Sequence, residues 1–385
     1  MTKVIIFGSN FLNTLGLIRS IGIKGYPVIL LLEPIKKSQC YVRYSKYITK
    51  IHYLKSSEEG LLVLQNEYGN EAEMPVVLCG SDTIICMLDA HYDELKDKFH
   101  IFNAGEQGRI SYFLDKINTF PIAEECGLTL IKSWLVSDIK NLPEGITYPC
   151  LIKGNNSTET TKGDMCICQN EIELKENLHE GVEYLIQEYI RKEFELDIVG
   201  LSCNHGNDVF VPAAVRKIRE ELYRQSDYIR LDDIKEYSNF NPTIISDFLR
   251  KLSYEGIFSI EVMYSKGKYY FLEINMRNDG TSWLYTAAGI NYPYLWVLHK
   301  TGQLTDNILS HVRLANHMTL MSENDLYNVF QGKISMVQWI KDFHKAHAFF
   351  IANRKDPMPF IFSTWIHLKQ FGKMILRKTL HINIQ

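Results

Sequence analysis

The sequence predicts an α/β fold with two or three domains, and three observations lead to that prediction. The chain has 385 residues, which exceeds the size that a single hydrophobic core usually supports. Its beginning alternates short apolar runs with helical patterns, whereas strand patterns separated by polar loops dominate from about residue 110. The composition, 46% hydrophobic and 23% charged residues, is typical of a globular protein.

The first element pattern is strand–helix–strand. Residues 3–7 and 27–32 are apolar runs, and a helical pattern lies between them. This order is typical of a parallel α/β domain. A further run at 75–79 ends at Ser81-Asp82, as the first ends at Ser9-Asn10. Ligands of such sheets bind at the carboxyl ends of the strands, so both pairs are candidates for one crevice, or else turn residues and helix N-caps.

Several classes of protein are disfavoured. The glycines do not form GxGxxG, which argues against a dinucleotide-binding enzyme. The eight scattered cysteines lack CxxC spacing, and the twelve histidines show no HxxxH or HExxH. No signal peptide and no apolar stretch of membrane-spanning length is found. We therefore expect a cytoplasmic protein with reduced thiols and no nucleic-acid partner.

Four motifs in fixed order carry the candidate chemistry. Strand patterns are predicted around them at 148–153, 164–168, 184–190, 194–201 and 208–215, with a helix at 242–254 and a hairpin whose turn contains Lys-Gly-Lys. The motifs are Leu114-Asp115-Lys116, Tyr148 to Gly154 (YPCLIKG), Leu185 to Ile190 (LIQEYI), and Glu261 with Phe271 to Arg277 (FLEINMR).

In this order the motifs resemble the ATP-grasp superfamily, and most of all its carbamoyl-phosphate-synthetase-like amino-acid ligases, such as D-aspartate ligase. The resemblance covers roughly residues 3–300. Each motif alone is weak, because a lysine that ends a strand is usually a solvated edge residue. The resemblance implies a Rossmann-like domain at 1–108, an ATP-grasp module at 109–305 (small lid subdomain about 118–190, large subdomain about 191–305) and a basic helical extension at 306–385.

The resemblance also implies a nucleotide site. Lys116 and Lys153 match the lysines that bridge the phosphates of ATP as point charges. The loop 154–163, with Lys162, would close over the triphosphate, although it lacks the usual glycines and otherwise reads as a flexible turn. Gln187 lies in the predicted adenine hinge, where Glu188 offers a carbonyl and Ile190 an amide. Glu193 matches the ribose ligand, with Glu195 as the alternative.

The hairpin carries the predicted metal site. Glu261, Glu273 and Asn275 match Mg²⁺ ligands, with Mn²⁺ as an alternative metal, and oxygen donors are what Mg²⁺ prefers. Glu273 and Asn275 are two residues apart, so they share a face of the strand, and Arg277 lies on that face as well if the strand continues to it. Arg277 would stabilise an acyl phosphate or oxyanion. Arg216, with Arg219 nearby, would bind a substrate carboxylate or the γ-phosphate, or else is a solvated cation.

The implied function is that of an ATP-dependent carboxylate–amine ligase that forms an amide-type bond through an acyl phosphate. The resemblance suggests an amino acid as one substrate and a role in cell-wall or surface-glycan biosynthesis. Two alternatives stay open. One is a synthetase or phosphotransferase that uses no amine, and the other is a non-catalytic nucleotide-binding subunit. The sequence indicates no oligomeric state.

The last part of the chain differs in charge. Residues 341–385 contain eight Lys or Arg and two Asp, a net charge of +6, whereas the whole chain carries −3. Aromatic and apolar residues follow helical spacing from Pro359 onwards, with basic residues between them. This pattern is typical of a peripheral anchor on an anionic membrane, here on its cytoplasmic face, and equally of a helix that packs on its own domain.

Overall fold

The structure, a computed structural model, describes residues 2–137, 140–154, 165–220, 226–237 and 240–369. The described residues form three sheets and the helices that cover them. The helices are α1 (Leu12–Gly22), α2 (Ser57–Val63), α3 (Asp82–Ala90), α4 (Tyr92–Leu95), α5 (Arg109–Leu114), α6 (Lys116–Glu125), α7 (Glu171–Asn177), α8 (Thr243–Leu252), α9 (Ser282–Ala287), α10 (Tyr292–Lys300), α11 (Asp306–His311), α12 (Tyr327–Phe330), α13 (Met336–Lys345) and α14 (358–369).

The N-terminal sheet is parallel, with the strand order β3-β2-β1-β4. Its strands are β1 (Val4–Gly8), β2 (Val28–Leu32), β3 (Ile48–Tyr53) and β4 (Val76–Cys79). Every residue of β1, β2 and β4 is buried, as is usual for parallel strands covered on both faces. The predicted parallel α/β pattern is confirmed.

A small antiparallel sheet follows, in the order β6-β9-β7-β8. It consists of β6 (Ser133–Val136), β7 (Cys150–Gly154), β8 (Cys166–Cys168) and β9 (Tyr184–Glu188). Its buried side chains, among them Val136, Ile152 and Ile186, form a hydrophobic cluster separate from the main core. A separate core of this kind supports the proposal that this part is a small subdomain.

The largest sheet has nine strands in the order β17-β16-β13-β12-β10-β14-β15-β5, with β11 paired to β10. Its strands are β5 (Thr129–Leu130), β10 (Phe194–Cys203), β11 (Asp208–Phe210), β12 (Ala213–Glu220), β13 (Ser226–Asp233), β14 (Gly256–Ser265), β15 (Lys268–Asn275), β16 (Thr319–Met321) and β17 (Ala348–Phe349). The predicted hairpin is β14–β15. Lys266 (φ 48°) and Gly267 (φ 81°) form its turn, and two positive φ angles suit the twist of a two-residue hairpin.

Strands β16 and β17 belong to the segment after residue 306, which the sequence predicts as helical. That segment therefore adds strands to the largest sheet as well as helices. It also contacts the N-terminal sheet region, because the buried Arg19 of α1 donates from Nε to Asp356 Oδ2 at 3.0 Å. None of the helices in the described part of the chain is long and apolar enough to cross a membrane.

Candidate active site

A row of carboxylates crosses the largest sheet. The strand register places Asp197 of β10 opposite Glu261 of β14, and Glu261 opposite Glu273 of β15. Asn275, two residues beyond Glu273, is buried, and its Nδ2 lies 3.4 Å from Glu261 Oε1. The structure thus brings together the three predicted metal ligands on adjacent strands, and adds Asp197 to them.

Lys116 reaches this row from a helix terminus. Asp115 caps α6 by accepting a hydrogen bond from Ile117 N at 3.1 Å, so Lys116 is the first helical residue. Its buried Nζ lies 2.9 Å from Glu273 Oε2. Burial opposes the ammonium charge, but the carboxylate of Glu273 outweighs it and raises the pKa of Lys116.

Lys153 is the second predicted phosphate ligand, on β7 of the small sheet. Burial, and then the charge of Lys116, lower its pKa to about 7. Among the described residues no carboxylate lies within ion-pair distance of its Nζ. A cation that is desolvated next to another cation is stabilised by an incoming anion. The pair Lys116 and Lys153 therefore fits a polyphosphate.

Lys217 of β12 was not predicted as a site residue. Its Nζ lies 3.0 Å from Asp197 Oδ1 and 3.1 Å from Glu261 Oε2, and it also contacts Glu195. No hydrogen bond of good geometry reaches Asp197 Oδ1 among the described residues. Burial opposes the charge of Lys217, but Asp197 and its acidic neighbours raise the pKa of Lys217 well above its usual value.

The pKa values of two acidic partners of Lys217 are shifted in opposite directions. Burial would raise the pKa of Glu195, yet Lys217 and then Lys192 lower it to about 2. Burial raises the pKa of Asp197 well above its usual range, and the lysine offsets this only in part. Ligand oxygens of Glu195, Asp197 and Glu261 all lie within 4.8 Å of one another.

These donors fit a hard divalent cation. Glu261 and Glu273 offer carboxylate oxygens and Asn275 an amide oxygen, which is the ligand chemistry of Mg²⁺. Lys116 and Lys217 already neutralise these carboxylates in part. A metal bound by this donor set would share its ligands with these two ammonium groups.

Arg277 connects this row to the N-terminal sheet. Its Nε and Nη2 donate to Asp82 Oδ1 and Oδ2 at 2.6 and 3.0 Å, and Nη2 donates to Asn275 Oδ1 at 3.2 Å. Asp82 begins α3, directly after β4. The crevice predicted at Ser81-Asp82 thus lies at the proposed catalytic arginine. Burial opposes the charge, but Asp82 raises the pKa of Arg277.

Asn10, the other crevice candidate, has a structural contact. Its Oδ1 accepts hydrogen bonds from the Tyr41 and Val42 amides at 3.0 and 3.1 Å, and its Nδ2 donates to Gln39 O. These bonds fix the segment that follows β2. They support the interpretation of Asn10 as a turn residue.

The predicted hinge begins with the last two residues of β9, which lies between β6 and β7 in the small sheet. Gln187 is buried, and its Nε2 donates to Ser133 Oγ at 2.8 Å. The Glu188 amide donates to Lys132 O at 2.9 Å, whereas the Ile190 amide has no backbone acceptor among the described residues. That amide is thus open to an acceptor on a bound ligand.

The remaining predicted residues have other neighbours. Glu193 is exposed, and its Oε1 accepts from the Lys266 amide at 2.8 Å. The Arg216 guanidinium lies 4.3 Å from the centre of the Phe194 ring, while Arg219 pairs with Asp325 and Asp342. The roles of Glu193 and Arg216 stay predictions, and Lys162 lies outside the described residues.

Two comparisons at the sequence level bear on this arrangement. Residues 181–322 match the family described as "ATP-grasp in the biosynthetic pathway with Ter operon". A formate-dependent phosphoribosylglycinamide formyltransferase from Wolinella succinogenes is 27% identical over 177 residues, 43% of this chain and 44% of that enzyme. The matched part therefore spans less than half of this relative.

Two solved structures show the same architecture. An L-amino acid ligase from Bacillus licheniformis gives a TM-score of 0.63 at 14% identity, over 83% of this chain and 78% of the ligase. An N5-carboxyaminoimidazole synthetase from Staphylococcus aureus, complexed with ADP, gives 0.61 at 17% identity, over 79% of each chain. The chain thus has the ATP-grasp fold, and the predicted resemblance to the ATP-grasp superfamily is confirmed. All three similar proteins are enzymes by name, as the sequence predicts for this chain.

Sequence reasoning did not identify Lys217, and it noted Asp197 after the third motif without giving it a role. Glu195 and Asp197 are two residues apart on a strand, the spacing that also places Glu273 and Asn275 on one face. Lys217, however, meets them only through the pairing of β10 with β12. Such pairing is a long-range property that the spacing within one strand does not reveal.

Proposed function

We propose that this chain is an ATP-dependent carboxylate–amine ligase. One observation carries the proposal. Two lysines from different elements, the buried Lys116 and the half-buried Lys153, lie near a row of acidic side chains from the largest sheet. The lysine ammonium groups can bind the phosphates of a nucleoside triphosphate, and the acidic side chains can bind its divalent metal. The two features together therefore fit a nucleoside triphosphate with its metal.

The reaction has two steps. A carboxylate oxygen of the first substrate attacks the γ-phosphorus of ATP, ADP leaves, and an acyl phosphate forms. The amine then attacks the carbonyl carbon, the C–O bond to phosphate breaks, and the amine loses a proton. The products are an amide, ADP and phosphate.

Separate residues are proposed to bind the phosphates and the metal. Lys116 and Lys153 hold the phosphates, and Lys162 in the loop 154–163 would close over them. Glu261, Glu273 and Asn275 would hold Mg²⁺, or Mn²⁺ in its place, which neutralises charge on the transferred phosphoryl group when it is bound. These roles follow the donor chemistry of each side chain.

In this proposal the acyl group of the substrate and the adenine base of ATP bind on opposite sides of the phosphates. Arg277 orients the acyl phosphate, because Asp82 and Asn275 fix its planar fork. Arg216 is proposed to bind a substrate carboxylate. Gln187, the Glu188 carbonyl and the Ile190 amide form the adenine hinge, and Glu193 binds the ribose.

An amino acid is proposed as one substrate. The name of the similar Bacillus licheniformis structure, an L-amino acid ligase, supports this choice. A place in cell-wall or surface-glycan biosynthesis, and a cytoplasmic location, rest on the sequence resemblance alone.

A pairwise screen of amino acids tests the function. Phosphate and ADP release from ATP are measured with each candidate carboxylate, with and without each candidate amine, using Glu273→Gln as the inactive control. A ligase releases phosphate continuously only when both partners are present. Release that is independent of any amine favours the phosphotransferase alternative, and release in no combination, with ATP bound, favours a non-catalytic subunit.

A further inference from the structure

Exposed apolar side chains are concentrated near the C-terminal end of the described chain. Twenty large hydrophobic residues are exposed in the described part, and eleven of them lie between 327 and 369. They are Tyr327, Phe330, Met336, Val337, Ile340, Phe343, Met358, Phe360, Ile361, Trp365 and Leu368. Such concentration on a folded protein indicates an interaction surface.

Helix α14 has one apolar side that packs on the chain and a second apolar stripe that is exposed. Its inner side holds Pro359, Phe362 and Ile366, and the Phe362 ring stacks on Tyr44 with centroids 3.5 Å apart. Its outer side carries Met358, Ile361, Trp365 and Leu368, at the spacing i, i+3, i+7 and i+10. These four form one stripe along the helix, and Trp365 and Leu368 are 52% and 64% exposed.

Helix α13 also carries an exposed apolar stripe. Its inner side carries Asp342, which is buried and pairs with Arg219. Its outer side carries Met336, Val337, Ile340 and Phe343, all exposed. Packing within the described chain thus leaves the outer stripe of each helix in water.

In the segment 327–369 the acidic side chains are buried and the basic side chains are exposed. Its acidic residues are Asp342 and Asp356, both buried and both paired with an arginine. Its basic residues are all exposed: Lys333, Lys341, Lys345, Arg354, Lys355 and Lys369. The outward surface of the segment is therefore apolar and positively charged. In the sequence after 369, Lys373, Arg377 and Lys378 follow, with no acidic residue.

We propose that α13, α14 and the residues around them dock this enzyme on an anionic phospholipid surface. Tryptophan, phenylalanine and leucine side chains enter the headgroup region, while lysine and arginine pair with lipid phosphates. A second copy of this chain is a poorer partner, because its own surface carries the same positive charge.

This inference is independent of the catalytic proposal, and its test uses no activity. The full chain is mixed at low ionic strength with vesicles of phosphatidylcholine alone or containing about 30% phosphatidylglycerol, and bound protein is measured by flotation. We expect binding to the anionic vesicles only, and its loss at high salt.

Variants separate the apolar and the charged contributions. The triple variant Ile361→Asn, Trp365→Ser, Leu368→Asn changes only exposed side chains, and we expect at least about a tenfold loss of vesicle affinity. The double variant Leu62→Asn, Ile172→Asn, at exposed sites elsewhere, should bind like the unmodified chain. Lys341→Gln with Lys345→Gln should weaken binding roughly fivefold for each charge, and Lys24→Gln with Lys98→Gln should not.

Three results would overturn the inference. The first is no binding, or equal binding to neutral and anionic vesicles, at low salt. The second is unchanged binding of both the triple variant and the lysine variant. The third is a dimer, seen by light scattering without lipid, that the triple variant disperses while vesicles remain unbound, since it would assign the stripe to a second copy.

Discussion

At the scale of single residues, Glu273 has two proposed roles in the site. In the proposed mechanism it holds the metal, and in the structure it neutralises Lys116. We predict that Glu273→Gln keeps the fold and lowers phosphate release by at least the roughly 10–100-fold that is typical when outer-shell partners of a metal are lost. The measurement is phosphate release at saturating Mg²⁺, with Glu94→Gln as the control. Near-normal turnover would refute the metal assignment.

Lys153 allows a prediction about protons. Its pKa of about 7 in the free protein means that most molecules carry a neutral Lys153 at about pH 8. Bound phosphates favour the charged form and raise the pKa, so ATP binding should take up a proton. Calorimetry in buffers of different ionisation enthalpy measures this uptake. Lys153→Met should bind ATP more weakly and without the uptake, whereas Lys98→Met should not differ from the unmodified chain. If Lys153→Met bound ATP as tightly as the unmodified chain and neither took up a proton, the phosphates of ATP would not bind at Lys153.

The resemblance of four ordered motifs to the ATP-grasp superfamily predicted part of this site. Lys116 follows a helix N-cap, and Glu273 and Asn275 follow the two-residue period of a strand, so local patterns were consistent with the resemblance. The ion pairs of Lys217 with Asp197 and of Arg277 with Asp82 join strands or domains far apart in sequence. Their energies depend on the completed fold, which explains why the sequence did not indicate them.

At the scale of elements, α3 positions Arg277, which lies two residues after the end of β15. Its first residue, Asp82, holds the fork of Arg277. We predict that Asp82→Asn lowers kcat by roughly tenfold, as the loss of a positioning partner does, and leaves the KM for ATP nearly unchanged. Asp279→Asn is the matched control, because Asp279 lies 3.8 Å from Arg277 and makes a weaker ion pair. A change in the KM for ATP alone, with kcat retained, would contradict this role.

Element prediction succeeded where a pattern was long. The buried runs of β1, β2 and β4, and the β14–β15 hairpin with its Lys-Gly turn, were all predicted. Strands β16 and β17 were not, because three and two residues give no period. They are strands only because they pair with the edge of the largest sheet.

At the scale of the whole molecule, one buried ion pair joins the beginning of the chain to its last described part. Asp356 accepts hydrogen bonds from Arg19, from Ser45 Oγ at 2.8 Å and from the Lys46 amide at 2.9 Å. We predict that Asp356→Asn lowers the free energy of unfolding by about 3–5 kcal/mol, because Arg19 keeps a buried, uncompensated charge. Urea denaturation measures this, with the exposed Asp247→Asn as the control. A loss below about 1 kcal/mol, as for a surface pair, would contradict the account.

In the proposed reaction the carboxylate is activated by phosphorylation before the amine attacks. Labelling both carboxylate oxygens of the first substrate with oxygen-18 tests this directly. One labelled oxygen bridges to phosphorus in the acyl phosphate and leaves with it when the amide forms. Mass spectrometry of the released phosphate should therefore find one oxygen-18 atom in each phosphate. Amide formation accompanied by unlabelled phosphate would contradict the mechanism.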